Sequence, residues 1–199
     1  ALAKADWPTR FASALAAARD GATVGQLSRF SRGETAATEV IAPVMTRRAS
    51  ADFEALRAAS AGFAHRTGVR PGVFLAKMGP PLQHKARADF SAGFFAVGGF
   101  ESVAKQTFTT AEEAAAAAAA SKAPVVVLCS TDETYPALVP AFAAGVRAAS
   151  PDATIVLAGL PADAAMVAAF RAAGIDEFIH LRANVHDVLA GLLKKMGAL

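Results

Sequence analysis

The sequence has 199 residues, of which 54% are hydrophobic, and its formal net charge is +3. This composition supports a folded core and excludes disorder along the whole chain. No window reaches the roughly 18 uninterrupted apolar residues of a membrane span. The small charge, without aromatic residues among basic clusters, argues against nucleic acid binding. The single cysteine, Cys129, and an N-terminus unlike a secretory signal predict a cytoplasmic protein with no membrane partner.

The charge is unevenly distributed along the chain. Residues 1–87 carry 13 Lys and Arg against 6 Asp and Glu, whereas residues 88–199 carry 7 against 11. A basic arm therefore precedes an acidic domain. Either the arm lies against an acidic surface, of its own domain or of a partner, or it presents a solvated helical face.

The first third of the chain has a helical pattern. Residues 8–30 favour two short helices, separated at Asp20 and Gly21. Residues 50–66 predict a third amphipathic helix, which Thr67 and Gly68 end. We assign residues 1–69 to a helical linker or arm.

From residue 70 onward, short apolar runs alternate with loops and amphipathic helices. This alternation predicts a parallel sheet covered on both faces, and five such units favour a flavodoxin-like five-stranded α/β fold over residues 70–199. The strands are expected at residues 73–77, 101–105, 125–129, 154–158 and 177–181. The helices are expected at about residues 87–98, 110–122, 136–149, 161–173 and 184–196.

In this fold, ligands bind beyond the carboxyl ends of the central strands, so the loops 78–86, 130–135 and 159–161 are where a site is expected. None of them contains the glycine-rich spacing of a dinucleotide or Walker loop. A phospho-receiver domain is also disfavoured. It needs an acidic pair after the first strand, where this sequence has Ala-Lys-Met. It also needs an aspartate at the end of the third strand, where Asp132 comes only after Ser130 and Thr131.

His84 is the chemically interesting residue of the first loop. An imidazole there could contact a metal or cofactor, usually with a carboxylate orienting its second nitrogen, and Asp89 is the nearest carboxylate along the chain. Residue chemistry alone instead favours a surface histidine near the start of a helix. Cys129 is expected to be a small core residue rather than a nucleophile. No histidine pair has metal-ligand spacing and no Ser/His/Asp set is evident, so we predict no metal site and no catalytic residue.

The stretches GPPLQHKARADFSAGFFAVGGFESV and TTAEEAAAAAAASKAPVVVLCSTDETYPALVPAF resemble the C-terminal cobalamin-binding-type domain of methylmalonyl-CoA mutase, and in particular its small, non-catalytic subunit. RDGATVGQLSRF and RRASADFEALRAAS resemble the segment that joins the barrel of that subunit to this domain. The resemblance implies a heterodimer with a large catalytic subunit. It also implies an isomerase that interconverts methylmalonyl-CoA and succinyl-CoA through adenosylcobalamin.

The sequence departs from the family where cofactor-binding members carry D-x-H-x-x-G after the first strand. An ungapped alignment places Pro81 at the aspartate, Gln83 at the histidine that ligates cobalt, and Ala86 at the glycine. His84 is one position out of register. Without the orienting aspartate and the glycine that admits the corrin, the motif is degenerate.

Two further cofactor signatures are also altered. The S-x-L after the third strand is replaced by a segment containing Ser130, and only Gly159 remains of the Gly-Gly after the fourth. We expect Phe90, Phe94 and Phe95 to fill the channel that the nucleotide tail of cobalamin enters elsewhere in the family.

The leading interpretation is a degenerate domain that supports the catalytic large subunit, with adenosylcobalamin present in the complex and none bound by this chain. A (β/α)₈ barrel takes about 250 residues, so this sequence cannot contain one. The first alternative is a functional cobalamin module in which His84 is the axial ligand and Ser130 and Gly159 contact the tail. The second is an unrelated flavodoxin-like domain that binds a small molecule or protein.

Overall fold

The computed structural model describes residues 6–32, 41–103 and 106–199. The chain divides into a smaller unit, residues 1–46, and a larger unit, residues 47–199. In the smaller unit, α1 spans Trp7–Arg19 and α2 spans Val24–Arg32. Gly21 has a φ of 94°, a conformation that favours glycine, and it ends α1 where the sequence predicted a break.

Helix α1 has no buried residue. Trp7, Phe11 and Leu15 are four residues apart, so they share one face, and all three are exposed. The rings of Trp7 and Phe11 lie 6.1 Å apart between centroids. The smaller unit therefore presents an apolar stripe that its own described residues do not cover.

The larger unit alternates strands and helices. Its helices are α3 (Ala51–Thr67), α4 (Pro81–Val97), α5 (Ala111–Ser121), α6 (Tyr135–Ala149), α7 (Ala164–Ala172) and α8 (Val185–Lys195). Its strands are β1 (Gly72–Met78), β2 (Glu101–Ser102), β3 (Thr107–Phe108), β4 (Val125–Cys129), β5 (Thr154–Ala158) and β6 (Glu177–Ile179). No described helix has the combination of length and hydropathy needed to cross a bilayer.

The strands form one parallel sheet in the order β2-β1-β4-β5-β6, and β3 also pairs with β1. The predicted α/β fold is confirmed, but the sheet has six strands rather than five. The strand expected at 101–105 ends at Ser102, where β2 pairs with the start of β1, and β3 then pairs with its end. Residues 104 and 105 lie outside the described part of the chain.

Two hydrophobic clusters cover the two faces of the sheet, as strands buried on both sides require. On one face, alternate strand residues such as Phe74 and Leu128 pack with α5 and α6. On the other, residues such as Leu75 and Val127 pack with α4 and α8. The long apolar runs in the sequence follow from this double burial.

Helix α3 belongs to the larger unit. The edge of the Phe53 ring meets the His186 ring of α8, with 5.9 Å between centroids. Arg66 donates to the Gly197 carbonyl at 3.2 Å, and the Ser60 hydroxyl donates to the Gly98 carbonyl at 2.5 Å. Helix α3 therefore packs against α8 and the end of α4, and the assignment of residues 1–69 to a linker or arm stays a prediction.

Candidate functional site

The candidate site is the edge of the sheet where β1, β4 and β5 end. Helix α4 begins at Pro81, whereas the sequence predicted a loop as far as about residue 87. Proline at the first helical positions accounts for the earlier start, because its fixed φ suits a helix and its missing N–H costs nothing there. Most of the expected ligand-binding loop is therefore helix.

His84 lies in the first turn of α4 and is only 5% exposed. Its Nδ1 is 3.0 Å from the Gly79 carbonyl and 3.3 Å from the Met78 carbonyl. Because carbonyls only accept hydrogen bonds, Nδ1 carries the proton in the neutral imidazole. The expectation of a surface histidine is wrong, since the early helix start turns this ring against the end of β1. His84 thus ties α4 to that strand.

Asp89 does not orient His84. Its carboxylate pairs instead with the Lys85 ammonium at 2.5 Å on the exposed side of α4. The two residues are four positions apart, so this is a solvent-facing helix pair of small energetic weight.

Gln83 lies over the turn that follows β1. Gly79 has a φ of 71°, and a Cβ at that position would come 2.2 Å from the Gln83 side-chain oxygen. Gln83 and Ser130 line a cleft of about 370 Å³ between the ends of β1 and β4. This is the point where the strand order reverses, the position at which the sequence predicted a site.

Ser130 is fully buried and its polar atoms are engaged within the protein. Its N–H donates to the Tyr135 hydroxyl at 3.0 Å, and its own hydroxyl accepts from Thr134 at 2.7 Å. The Tyr135 hydroxyl in turn donates to the Ala158 carbonyl at 2.7 Å. This hydroxyl therefore connects the end of β4 to the end of β5, and its burial raises the pKa of Tyr135.

Arg87 crosses from α4 to the ends of the neighbouring strands. Its Nη1 donates to the Ala158 carbonyl at 2.5 Å, and its Nη2 lies 2.8 Å from the Asp132 carboxylate. Its Cζ lies 5.4 Å from the centroid of the Tyr135 ring, a cation–π geometry. One partly buried side chain thus joins α4, the loop after β4 and the end of β5.

Gly159 lies directly beneath this guanidinium. Its φ is 139°, and a Cβ built there would come 1.8 Å from Arg87 Nη1. Neither Arg87 nor Tyr135 was identified from the sequence as part of the site. Nothing in the local pattern distinguishes Arg87 from the other arginines, and Tyr135 carried a signal only as the single tyrosine of the chain.

The three phenylalanines that we expected to fill the channel lie in different environments. Phe94 and Phe95 are buried in the core beside α8. Phe90 is only partly buried and lines an open cleft of about 440 Å³ beyond β5 and β6. The end of the Arg87 side chain lies against Gly159, and the cleft that Gly159 and Phe90 both line is open rather than filled by these rings.

Cys129 is fully buried, in agreement with its expected role as a core residue. Burial raises its pKa to about 12, and its sulfur lies 3.8 Å from the Ser91 hydroxyl. Among the residues that the structure describes, no group of three or more His, Cys, Asp or Glu side chains could hold a metal ion.

The comparison with solved structures includes a CheY-like protein of Pseudomonas aeruginosa PAO1. It is 20% identical, the match covers 66% of this chain and 97% of that one, and the TM-score is 0.49. No protein-family model matches the sequence.

Curated relatives are more similar. The chain is 35% identical over 160 residues to the methylmalonyl-CoA mutase small subunit of Porphyromonas gingivalis, which is 79% of this chain and 24% of that protein. It is 38% identical over 152 residues to the probable small subunit of Mycobacterium bovis, 76% of this chain and 24% of that protein. The Streptomyces virginiae small subunit is 37% identical over 145 residues, which cover 73% of this chain and 22% of that protein.

The chain spans about a quarter of the length of these relatives. Three of them, from different organisms, match at least 73% of this chain at 35–38% identity. Their similarity also agrees with the resemblance in the segments around α4, β4 and α6. The matched part of the chain therefore belongs to the family of methylmalonyl-CoA mutase small subunits.

Proposed function

We propose that this chain is the cobalamin-binding-like domain of a mutase small subunit, with a degenerate cofactor site that does not bind cobalamin. Its role is to support a catalytic large subunit in a cytoplasmic heterodimer. The complete enzyme interconverts methylmalonyl-CoA and succinyl-CoA, and adenosylcobalamin resides in the large subunit.

The observation that carries this proposal is the position of Arg87 over Gly159. The family's second glycine signature keeps a surface free of side chains at the end of this strand. Here Arg87 Nη1 bonds the Ala158 carbonyl at 2.5 Å and fills the space above Gly159. A ligand in contact with Gly159 would have to displace a guanidinium that already has a carbonyl, a carboxylate and an aromatic face as partners.

The surroundings of His84 support the same conclusion. A histidine that ligates cobalt needs an exposed nitrogen and a carboxylate on the other one. His84 is buried, its Nδ1 contacts two carbonyls, and Asp89 pairs with Lys85. These contacts support a site that does not hold a cobalamin.

An exposed stripe on the smaller unit supports the proposal of a heterodimer. Trp7, Phe11 and Leu15 form this stripe, and all three are exposed. An exposed apolar surface is typical of an interaction site. We propose that this stripe packs on an apolar surface of the large subunit.

Cobalamin titration tests the degenerate site. The purified chain is titrated with adenosylcobalamin and followed by corrin absorbance and thermal unfolding, with a cobalamin-binding mutase large subunit as the positive control. We expect an unchanged spectrum and no stabilisation. A ligand present at 100 times its Kd should add about 2.7 kcal/mol to the free energy of unfolding. A clear rise in melting temperature would therefore refute the proposal.

If the chain binds cobalamin, the His84→Ala variant shows whether His84 is the axial ligand. Loss of a base-off, histidine-bound spectrum in this variant would establish His84 as the axial ligand. A spectrum that survives the substitution would indicate binding through other groups.

The supporting role needs a separate test. Mixing the chain with the large subunit of its own organism, followed by analytical ultracentrifugation, should give a heterodimer. Sedimentation of two independent species at micromolar concentration would contradict this part of the proposal.

A further inference from the structure

The chain shortly before α3 exposes large apolar side chains. Residues 41–45, here called the apolar segment, form neither helix nor strand, and none of their backbone groups bonds another described residue. Ile41 is 80% exposed, Val44 is 91% exposed and Met45 is 90% exposed. None of the three belongs to either hydrophobic cluster of the larger unit. An exposed apolar surface of this kind marks an interaction site.

The sequence of the apolar segment is typical of a chain that is buried on both sides. It reads Ile-Ala-Pro-Val-Met, with no polar residue. Since neighbouring side chains of an extended chain point to opposite sides, both sides of this one are apolar. Pro43 fixes its own φ and keeps Ala42 away from the helical region, which favours an extended form. Such a run is normally covered on both sides, yet here it is exposed.

The edges of the sheet are too short to cover the apolar segment. The outer strands β2, β3 and β6 have two, two and three residues, fewer than the five of the segment. A second copy of the chain would offer the same short edges for strand pairing. A different protein with a longer groove is therefore needed, and the large subunit is the partner that the proposed function supplies.

The residues that flank the apolar segment indicate the chemistry of this groove. Arg47 and Arg48 follow it in the chain, but they pair with Asp52 and Glu54 at the start of α3. Their charges are thus balanced within the chain, and the segment itself carries none. A groove that receives the segment should be apolar, with free backbone groups to pair with those of residues 41–45.

We propose that the apolar segment binds in extended form in an apolar groove of the large subunit, with Ile41, Val44 and Met45 as anchors. Backbone hydrogen bonds hold the chain and the three side chains fill pockets, the mode in which a peptide adds to a sheet. Pro43 has no N–H to donate, which an added edge strand tolerates. This inference rests on the proposed heterodimer and names a second contact within it, separate from the stripe on α1.

A charge placed in the apolar segment tests the proposal. Val44→Asp in the full chain should weaken the heterodimer at least about tenfold in analytical ultracentrifugation, because a carboxylate would enter an apolar groove. Thr46→Asp is the matched control, since it adds the same charge to the same exposed stretch outside the apolar run and should leave the affinity nearly unchanged. Both positions are exposed, so the melting temperature of the free chain should not move. Equal affinities of Val44→Asp and wild type would overturn the proposal.

Hydrogen exchange identifies what covers the apolar segment. The amides of residues 41, 42, 44 and 45 should exchange at least about tenfold more slowly once the large subunit is added, since new backbone hydrogen bonds protect them. Slow exchange in the dilute free chain would mean that its own residues cover the segment. Protection that grows with the concentration of the chain alone would mean that a second copy does. Either result would overturn the proposal.

The outcomes separate this inference from the proposed function. If the wild-type chain and the large subunit do not associate, the heterodimer is wrong and this inference falls with it. If they associate while Val44→Asp binds equally well and the amides of the apolar segment stay unprotected, the heterodimer stands and this inference alone is wrong.

Discussion

Arg87 and Gly159 occupy complementary positions: the guanidinium lies where a β-carbon at residue 159 would be, 1.8 Å from Nη1. The hydrogen bond from Arg87 Nη1 to the Ala158 carbonyl joins α4 to the end of β5. A β-carbon at residue 159 would displace the end of the Arg87 side chain, and the φ of 139° independently favours glycine there.

Gly159→Ala should destabilise the protein by about 1–3 kcal/mol. The substitution strains a backbone with a φ of 139° and forces Arg87 away from the Ala158 carbonyl. Urea denaturation measures the loss. In an Arg87→Ala background no guanidinium lies against residue 159, so Gly159→Ala should lower the free energy of unfolding by less. The coupling energy between the two substitutions should be at least about 0.5 kcal/mol. Additive effects would show that the guanidinium does not press on residue 159.

Tyr135→Phe should lower the free energy of unfolding by about 1–3 kcal/mol. The ring remains, but the Ser130 N–H loses its acceptor and the Ala158 carbonyl loses a donor in a fully buried place. Val139→Ala, in the same helix, gives a comparison in which only packing is lost. A Tyr135→Phe protein as stable as the wild type would mean that water replaces the hydroxyl.

Stability should fall at alkaline pH. Burial raises the pKa of Cys129 from 9.0 to about 12 and also raises that of Tyr135 above 10.0. Above pH 9 the unfolded chain releases protons that the folded chain keeps, so the free energy of unfolding decreases as pH rises towards 12. Urea midpoints between pH 7 and 11 measure the decrease, which should be shallower in Tyr135→Phe. A flat profile would contradict the burial of these groups.

His84 should be replaceable by asparagine more readily than by leucine. The asparagine amide can donate near the position of Nδ1, which contacts the Met78 and Gly79 carbonyls, whereas leucine leaves both without this donor. We expect His84→Leu to cost about 1–2 kcal/mol more than His84→Asn in thermal unfolding. The reverse order would show that the ring contributes by packing alone.

Trp7 is the single tryptophan and is 73% exposed. Its fluorescence in the free chain should resemble that of tryptophan in water and be quenched readily by iodide. If α1 packs on the large subunit, as we propose, mixing the two should shift the emission to shorter wavelength and protect it from iodide. Trp7→Ala should weaken the heterodimer at least tenfold, a typical loss for a central interface aromatic. A control substitution, Arg19→Ala, should have little effect.

The fold was predictable because its signals are local. Three nearly continuous apolar runs gave β1, β4 and β5, and Asp20 with Gly21 gave the break after α1. The split of the second strand was not predictable, since β2 and β3 have two residues each and are defined only by their pairing with β1.

The site was less predictable for physical reasons. The predicted topology located the edge of the sheet. Helix α4 begins at Pro81, where a loop was expected, and this earlier helix start buries His84. Arg87 contacts Asp132 and Ala158, which lie 45 and 71 positions further along the chain. The periodicity of helices and strands does not predict contacts over such separations. Whether Gln83, His84, Ser130 and Gly159 contact a cofactor stays a prediction.

The short outer strands also bear on self-association. β2 and β3 offer two residues each alongside β1, and β6 offers three at the other margin. Strands this brief present too few free backbone groups to template the addition of another chain. Copies of the protein brought to high concentration should therefore resist fibril growth through this sheet, and any oligomer that forms should use helical surfaces.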